Sequence, residues 1–452
     1  MSDGKSQALS RIESILDDAS FVELQALVTA RSTDFGESEQ APSDGVVIGH
    51  GQIDGDLVFI YAQDPSVKNG SIGEMHAKKI LSVYDMARKV GAPVIGLLDS
   101  TGIRLTESVD ALEAVAAIVK KASDCKGEIP EITAVYGTCG GGLSVLASVS
   151  DFTFMTKDSR LFVNSPDTIP GNSKEKCDTA SAEFQASSTG VVDDYGTEAE
   201  VAEAIRSLIS VLPSSDREGG RLEEEYTDDL NRAAEGIADK RTDIAAFATE
   251  IGDSREFVET KKHFAPTMVT GFIRLGGQTV GVVGNSACKE GRFFLTADGV
   301  YKAADFVNYC DSMSIPVLSL INAEGYQKSV EAEKSLPGAL AALAYAFAEA
   351  ETPKVSVYLT KAVGTSFLFM DAKSLGADLV FAYSDTEIAS MAPADAAKLL
   401  SKDGLDAATF EEKECGAANA ARRGYVDRIL TFPDTRKYLI SAFDMLATKE
   451  AF

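Results

Sequence analysis

The sequence carries the same run of structural signals twice, 223 residues apart, and nothing else in it constrains the fold as much. Ala77 to Val90 has helical apolar spacing, then come Gly91-Ala92-Pro93 and a short apolar run, Val94 to Leu98, ending in Asp99-Ser100-Thr101-Gly102. Val300 to Met313 repeats the helical spacing, Ser314-Ile315-Pro316 follows, and Val317 to Ile321 ends in Asn322-Ala323-Glu324-Gly325. A short apolar run opened by proline reads as a buried strand. Pro93 and Pro316, Gly102 and Gly325, Pro130 and Pro353, and Lys79 and Lys302 all differ by 223 positions. Four landmarks in one register predict a helix–strand unit used twice, and therefore two α/β halves, each with its own core. The halves are expected at 1–213 and 251–452. Between them, 214–250 reads as a linker region opened by an acidic stretch with Gly219-Gly220 and Glu223-Glu224-Glu225.

A second pair of signals lies further along each half. After Pro130, the strand Glu131 to Tyr136 leads into Gly137-Thr138-Cys139-Gly140-Gly141-Gly142 and a helix-like run, Leu143 to Ala147. After Pro353, Lys354 to Leu359 leads into Lys361-Ala362-Val363-Gly364-Thr365-Ser366-Phe367. A tight turn between a strand and a helix start aims unpaired backbone N–H groups at one point, with the helix dipole behind them. Glycine lets a ligand approach that backbone closely. Such a turn suits an oxyanion hole, where N–H donors meet charge developing on a thioester or amide oxygen. It equally suits close packing of helix on strand, and the sequence leaves both readings open. Neither G-x-x-x-x-G-K-[ST] nor a spaced G-x-G-x-x-G is present, which argues against a phosphate loop.

Composition narrows the remaining classes. With 43 basic and 69 acidic residues the formal net charge is −26, and so acidic a surface repels nucleic acid and anionic lipid. The six cysteines form no C-x-x-C pair and, with the three histidines His50, His76 and His263, no cluster of metal-ligand spacing, so no metal is expected and the thiols are expected free. No G-x-S-x-G elbow supports a hydrolase triad. Glu107-Ser108-Val109-Asp110 reads as a solvated helix start. Met1 to Lys5 lacks a signal-peptide character, and the longest apolar segment, around Ala339 to Ala348, is too short to span a bilayer. The expected location is the cytoplasm.

Several segments, taken in order, resemble the biotin-dependent acyl-CoA carboxyltransferase family. Arg11-Ile12-Glu13-Ser14-Ile15-Leu16-Asp17 is similar to that family's opening, Gly70-Ser71-Ile72-Gly73-Glu74 with Lys78-Lys79-Ile80 to its G-G-S-x-G-E…K-I segment, and Asp99-Ser100-Thr101-Gly102-Ile103-Arg104 to D-S-G-G-A-R. Gly137 to Gly142 resembles G-x-C-A-G-G, and Arg423-Gly424-Tyr425-Val426-Asp427 with Asp434-Thr435-Arg436 resembles R-G-Y-I-D…D-T-R.

The resemblance implies two tandem crotonase-like domains of the ClpP/crotonase superfamily. Acyl-CoA, a coenzyme A thioester, is expected on the N-terminal half and carboxybiotin on the C-terminal half of a neighbouring subunit. It further implies a homodimer or hexamer, no nucleic acid, biotin on a separate carrier protein, and a biotin carboxylase or membrane decarboxylase subunit as partner. CO2 would move between biotin N1 and the α- or γ-carbon of a short acyl-CoA. By position the catalytic donors fall on Gly141 and Gly142 in the first half and Thr365 and Ser366 in the second. Gly140, Gly102, Gly325 and Gly364 shape the backbone that holds the ligands. Lys78, Lys79 and Arg104 are the candidate basic contacts to coenzyme A, each with a surface or helix-face alternative. The family's A-Y-G-G-A-Y reads Ala362-Val363-Gly364-Thr365-Ser366-Phe367 here, and its D-x-P-G-F reads Asn322-Ala323-Glu324-Gly325-Tyr326. These departures raise a second reading, a non-catalytic paralogue with a degenerate biotin half. A third is a biotin-independent crotonase-type enzyme, which the doubled unit disfavours.

Overall fold

The computed structural model describes residues 6–33, 35, 42–218, 228–400 and 406–449. The start Met1 to Lys5 and part of the acidic stretch, 219–227, lie outside them. The chain divides into two compact units, Met1–Glu218 and Gly219–Phe452.

Each unit is built on an eight-stranded sheet, and the two sheets share one topology. The first contains β1 (Val22–Leu24), β2 (Val46–Ile53), β3 (Asp56–Gln63), β4 (Val94–Ser100), β5 (Glu131–Gly140), β6 (Phe152–Thr156), β7 (Arg160–Phe162) and β8 (Asp194–Gly196). Their order is β1-β2-β3-β4-β5-β6-β8, with β7 on the far end of β5. The second contains β9 (Val258–Thr260), β10 (Met268–Leu275), β11 (Gln278–Asn285), β12 (Val317–Ala323), β13 (Lys354–Val363), β14 (Leu379–Tyr383), β15 (Glu387–Ala389) and β16 (Arg428–Leu430). Their order is β9-β10-β11-β12-β13-β14-β16, with β15 on β13. In both, an antiparallel hairpin, β2–β3 or β10–β11, leads into parallel strands.

The 223-residue register is therefore a structural repeat: β4 and β12, and β5 and β13, begin and end that far apart. Helices Glu74–Val90 and Ala297–Ser312 also start in that register. The first of them buries His76, Ala77, Ile80, Val83, Tyr84 and Ala87 on one stripe against the sheet and stops at Gly91, which has φ +73°. In the second unit, helix Ile244–Ile251 is capped by Asp243, and its Ile244, Phe247 and Ile251 join the core around β10 to β13. Lys79 and Lys302 play the same part in the two units. Each is buried and spans to backbone carbonyls before or at the start of the hairpin: Ser43 and Val46 at 3.0 and 2.5 Å, and Lys261 and Phe264 at 2.8 and 3.0 Å. All six cysteines are free thiols. No helix among the described residues is long and apolar enough to cross a membrane.

Candidate active site

β4 and β5 are parallel neighbours, so both release the chain at the same edge of the sheet, where loops of adjacent strands enclose a crevice. Pairing runs to Leu98↔Val135 and resumes at Ser100↔Cys139. The extra residues on β5 make a bulge that turns its tail toward β7. Asp99 sits over this bulge: its carboxylate lies so close to Gly137 that any Cβ there would overlap it. Arg11 donates to Asp99 Oδ2 at 2.9 Å, and its guanidinium covers the Tyr136 ring at 4.7 Å. Beyond the bulge a 3-10 turn, Gly141–Leu143, opens helix Ser144–Val149. Gly141 has φ +63°, a region that costs an L-residue about 1–2 kcal/mol. The N–H groups of Gly141 and Gly142 precede the first bond of the turn and have no partner within it. The Ser144 hydroxyl braces the turn by donating to the Gly141 carbonyl at 2.7 Å.

These residues border a cavity of about 780 Å³, within the range of small-molecule sites. Gly102, Ile103, Gly140, Gly141 and Gly142 line it, with Val115 and Phe162 among its apolar walls. The packing reading of the glycine run fits Gly140, where a methyl group would sit 2.9 Å from the Phe162 ring. It does not fit Gly142, where the nearest atom to a methyl would be Val115 Cγ1 at 3.9 Å. A methyl at Gly142 would make one ordinary van der Waals contact and no clash.

The loop carrying Gly102 is pinned by backbone and by buried charge. Ile72 N–H donates to Gly102 O at 2.9 Å, and Arg104 N–H donates to Ile72 O at 2.8 Å. The Arg104 guanidinium donates to Asp44 at 2.6 Å and to Glu107 at 2.8 Å, and Glu107 in turn accepts the Glu74 N–H at 2.7 Å, capping helix Glu74–Val90. His76 lies below. Its Nδ1 faces the Asp44 carbonyl at 2.9 Å and so carries the proton, which leaves Nε2 to accept from the Gln63 amide at 3.3 Å. Gln63 Oε1 accepts the Asp99 N–H at 3.0 Å. Burial pushes the His76 imidazole down to about 3, so it is neutral. Three sequence expectations are corrected here. Arg104 and Lys79 are neither coenzyme A contacts nor surface residues: both are buried and saturated by structural partners. Glu107 is not solvated but buried against Arg104. Lys78 is the exposed one, paired with Glu74 one turn away.

The second unit repeats the construction with different side chains. Pairing skips between Ile321↔Tyr358 and Ala323↔Ala362, the same bulge. Asn322 fills it, fully buried. The 3-10 turn is Gly364–Ser366, with Gly364 at φ +72°. By the same geometry the N–H groups left without a partner in the turn are those of Gly364 and Thr365. Ser366 is buried, and its hydroxyl donates to Val363 O at 3.0 Å. Gly364 and Thr365 line a cavity of about 600 Å³ with Phe367, Phe410, Arg423 and Tyr425, whereas Ser366 and Gly325 are not among its walls. Gly325 heads a loop held as in the first unit: Leu295 N–H donates to Gly325 O at 3.0 Å, and Gln327 N–H to Leu295 O at 2.9 Å. Glu324 anchors that loop through Arg292 at 2.5 Å and Lys361 at 3.1 Å, which hold its carboxyl below the usual range against the opposing effect of burial. Among the described residues no group of three or more His, Cys, Asp or Glu could hold a metal ion.

Sequence reasoning missed Tyr326, whose hydroxyl lies 2.9 Å from Thr365 Oγ1, and the Asp44–Arg104–Glu107 cluster. The only signal for Tyr326 was its position one residue after Gly325 in the repeat.

Residues 1–452 match the family model described as "Carboxyl transferase domain". The chain is 35% identical over 474 residues to the "Propionyl-CoA carboxylase, carboxyltransferase subunit" of Haloferax mediterranei, covering 99% of this chain and 91% of that one. It is 35% identical over 465 residues to the "Methylmalonyl-CoA decarboxylase subunit alpha" of Veillonella parvula, with the same coverage. A solved transcarboxylase 12S structure, described as a hexamer assembly with hydrolysed methylmalonyl-coenzyme A bound, superposes with a TM-score of 0.92 at 30% identity, over 98% of this chain and 90% of that one.

Proposed function

Because the chain belongs to the carboxyl transferase family and folds as two crotonase-like units in tandem, we propose that it is the carboxyltransferase of a biotin-dependent acyl-CoA carboxylase or decarboxylase. The observation that carries this reading is the pair of equivalent turns, each with leading N–H groups that make no bond within the turn, beside a cavity. The relatives' names supply the substrate class, propionyl- or methylmalonyl-CoA.

The first cavity takes the acyl thioester. Gly141 and Gly142 donate to the thioester oxygen, which gains charge as the neighbouring carbon becomes nucleophilic, so the two bonds strengthen toward the transition state. The Gly102 loop, fixed through Arg104 and Ile72, closes the opposite side. The second cavity suits biotin: its apolar walls fit a small ring, and a Cβ at Gly364 would meet nothing closer than Ser390 O at 3.8 Å. When bound, carboxybiotin supplies the activated carboxyl group. Gly364 and Thr365 hold the ureido oxygen at the turn. Ser366 supports the turn from below instead of facing the ligand. Biotin arrives on a separate carrier, and a biotin carboxylase or membrane decarboxylase subunit completes the cycle. In a hexamer of the transcarboxylase type, each first unit would work with the second unit of a neighbouring subunit.

The test is to incubate the protein with free biotin or a biotinylated carrier and malonyl-, methylmalonyl- and glutaconyl-CoA, following loss of the CoA-linked carboxylate. Biotin-dependent loss is expected. Loss without biotin would point to a simple crotonase-type decarboxylase. CoA ester binding without any loss would favour a non-catalytic subunit.

A further inference from the structure

The two turns differ most at Thr365. In the 223-residue register it stands where Gly142 stands, and Tyr326 stands where Ile103 stands. The first unit thus sets an isoleucine and a glycine on the cavity wall, and neither of these two carries a hydroxyl. In the second, the Tyr326 phenol oxygen and Thr365 Oγ1 are 2.9 Å apart. Thr365 is exposed on the cavity wall, and its Oγ1 belongs to the same residue as an N–H that makes no bond within the turn. Tyr326 is aimed by its neighbours: the backbone on either side, at Gly325 and Gln327, is bonded to Leu295.

We propose that Tyr326 and Thr365 form a hydroxyl pair that donates a side-chain hydrogen bond to the oxygen of a cyclic urea held at the Gly364–Thr365 turn. The proposal rests on the reading of the second cavity as the biotin side. Two hydroxyls carry two protons; their mutual bond uses one and leaves the other to point at a ligand. Burial holds the phenol above its usual range, outweighing the bond from Thr365, so it keeps its proton and stays a donor at neutral pH. No proton leaves the pair, and no covalent bond changes. The threonine that occupies space a glycine would leave open thereby offers a third donor in exchange, and that donor strengthens as charge builds on the ureido oxygen.

The test compares wild type with Y326F, T365V and T365S in carboxyl transfer from a CoA ester to free biotin. Y326F and T365V are expected to lower kcat by about 10- to 100-fold, with KM for the CoA ester little changed. T365S, which keeps the hydroxyl, is expected to recover most of the rate lost in T365V. A second readout needs no turnover: the infrared stretch of the ureido carbonyl in bound ¹³C-labelled biotin should move to higher frequency in Y326F and T365V. Thermal melts of the three variants establish that each is folded. Wild-type rates and an unmoved carbonyl stretch in both variants would overturn the proposal while leaving the carboxyltransferase reading intact. No biotin-dependent transfer by the wild type would overturn both together.

Discussion

Asn322 Oδ1 accepts two hydrogen bonds from Thr360, from its N–H at 2.9 Å and its hydroxyl at 2.6 Å, and so closes the bulge of β13. In the first unit the same two positions are Asp99 and Gly137, where the glycine makes room for the carboxylate and Arg11 balances its charge. The departure at Asn322 is therefore one half of a matched exchange in the scaffold beneath the turn, not a loss at the site itself. Its Nδ2 donates to Arg241 O at 2.7 Å. Asn322→Asp would set an oxygen against that carbonyl in a fully buried place. We expect a loss of about 2–4 kcal/mol in urea unfolding. A variant as stable as wild type would show that the amide orientation is not required.

The Arg104 cluster predicts a different kind of defect. Arg104→Met leaves Asp44 buried without its cation and Glu107 with only Arg31, 3.7 Å away, at a cost of about 3–5 kcal/mol. Arg104→Lys keeps the charge but not the fork that reaches Asp44, Glu107 and the Ser71 carbonyl together. Since Arg104 holds the Gly102 loop, the Lys variant should raise KM for the CoA ester while leaving KM for free biotin unchanged. Equal changes in both would mean that the cluster serves general stability alone.

Gly141 and Gly142 separate backbone strain from site chemistry. Gly141→Ala puts a side chain at φ +63° and should cost about 1–2 kcal/mol in unfolding free energy. Gly142→Ala meets no clash and has no positive φ, so its stability should match wild type within about 0.5 kcal/mol. Its methyl group projects beside a proposed donor, and carboxyl transfer should fall by about 100-fold. A fully active Gly142→Ala would remove Gly142 from the oxyanion hole.

How much of this was legible follows from what each signal depends on. The doubled unit, the strands after Pro93, Pro130, Pro316 and Pro353, and the two turns were readable because proline and glycine act on their own backbone. The fates of Glu107, Arg104 and Lys79 were not. Glu107 looks like any acid at a helix start, and its burial is set by Arg104 three residues away, by Asp44 sixty residues from Arg104, and by the Glu74 N–H. Tyr326 and Thr365 are 39 positions apart and meet only because β12 and β13 are neighbours in the sheet. Periodicity reports which face of an element is apolar; it does not report which polar side chains the fold brings together.

The repeat also contains an unmatched acid. Glu131 opens β5 and Lys354 opens β13 in the same register. Lys354 solves its burial by donating to the carbonyls of Phe347 and, at 2.8 Å, Ala350, at the end of the preceding helix. Glu131 is equally buried, but neither of its carboxyl oxygens has a hydrogen-bond partner. Burial, with the Asp151 charge in support and Lys126 opposing, pushes it from 4.5 up to about 9. The folded protein therefore keeps a proton that the unfolded chain releases near its ordinary value of 4.5. Between those two values the native state binds more protons than the unfolded state, so stability must fall as pH rises, by up to about 1.4 kcal/mol per pH unit from this group. Glu131→Gln keeps the shape and never ionises. Its unfolding free energy should track wild type near pH 4.5 and exceed it increasingly toward pH 9 in urea titrations at fixed salt. Parallel pH profiles for the two proteins would mean that Glu131 finds a partner or water in solution and is ionised at neutral pH.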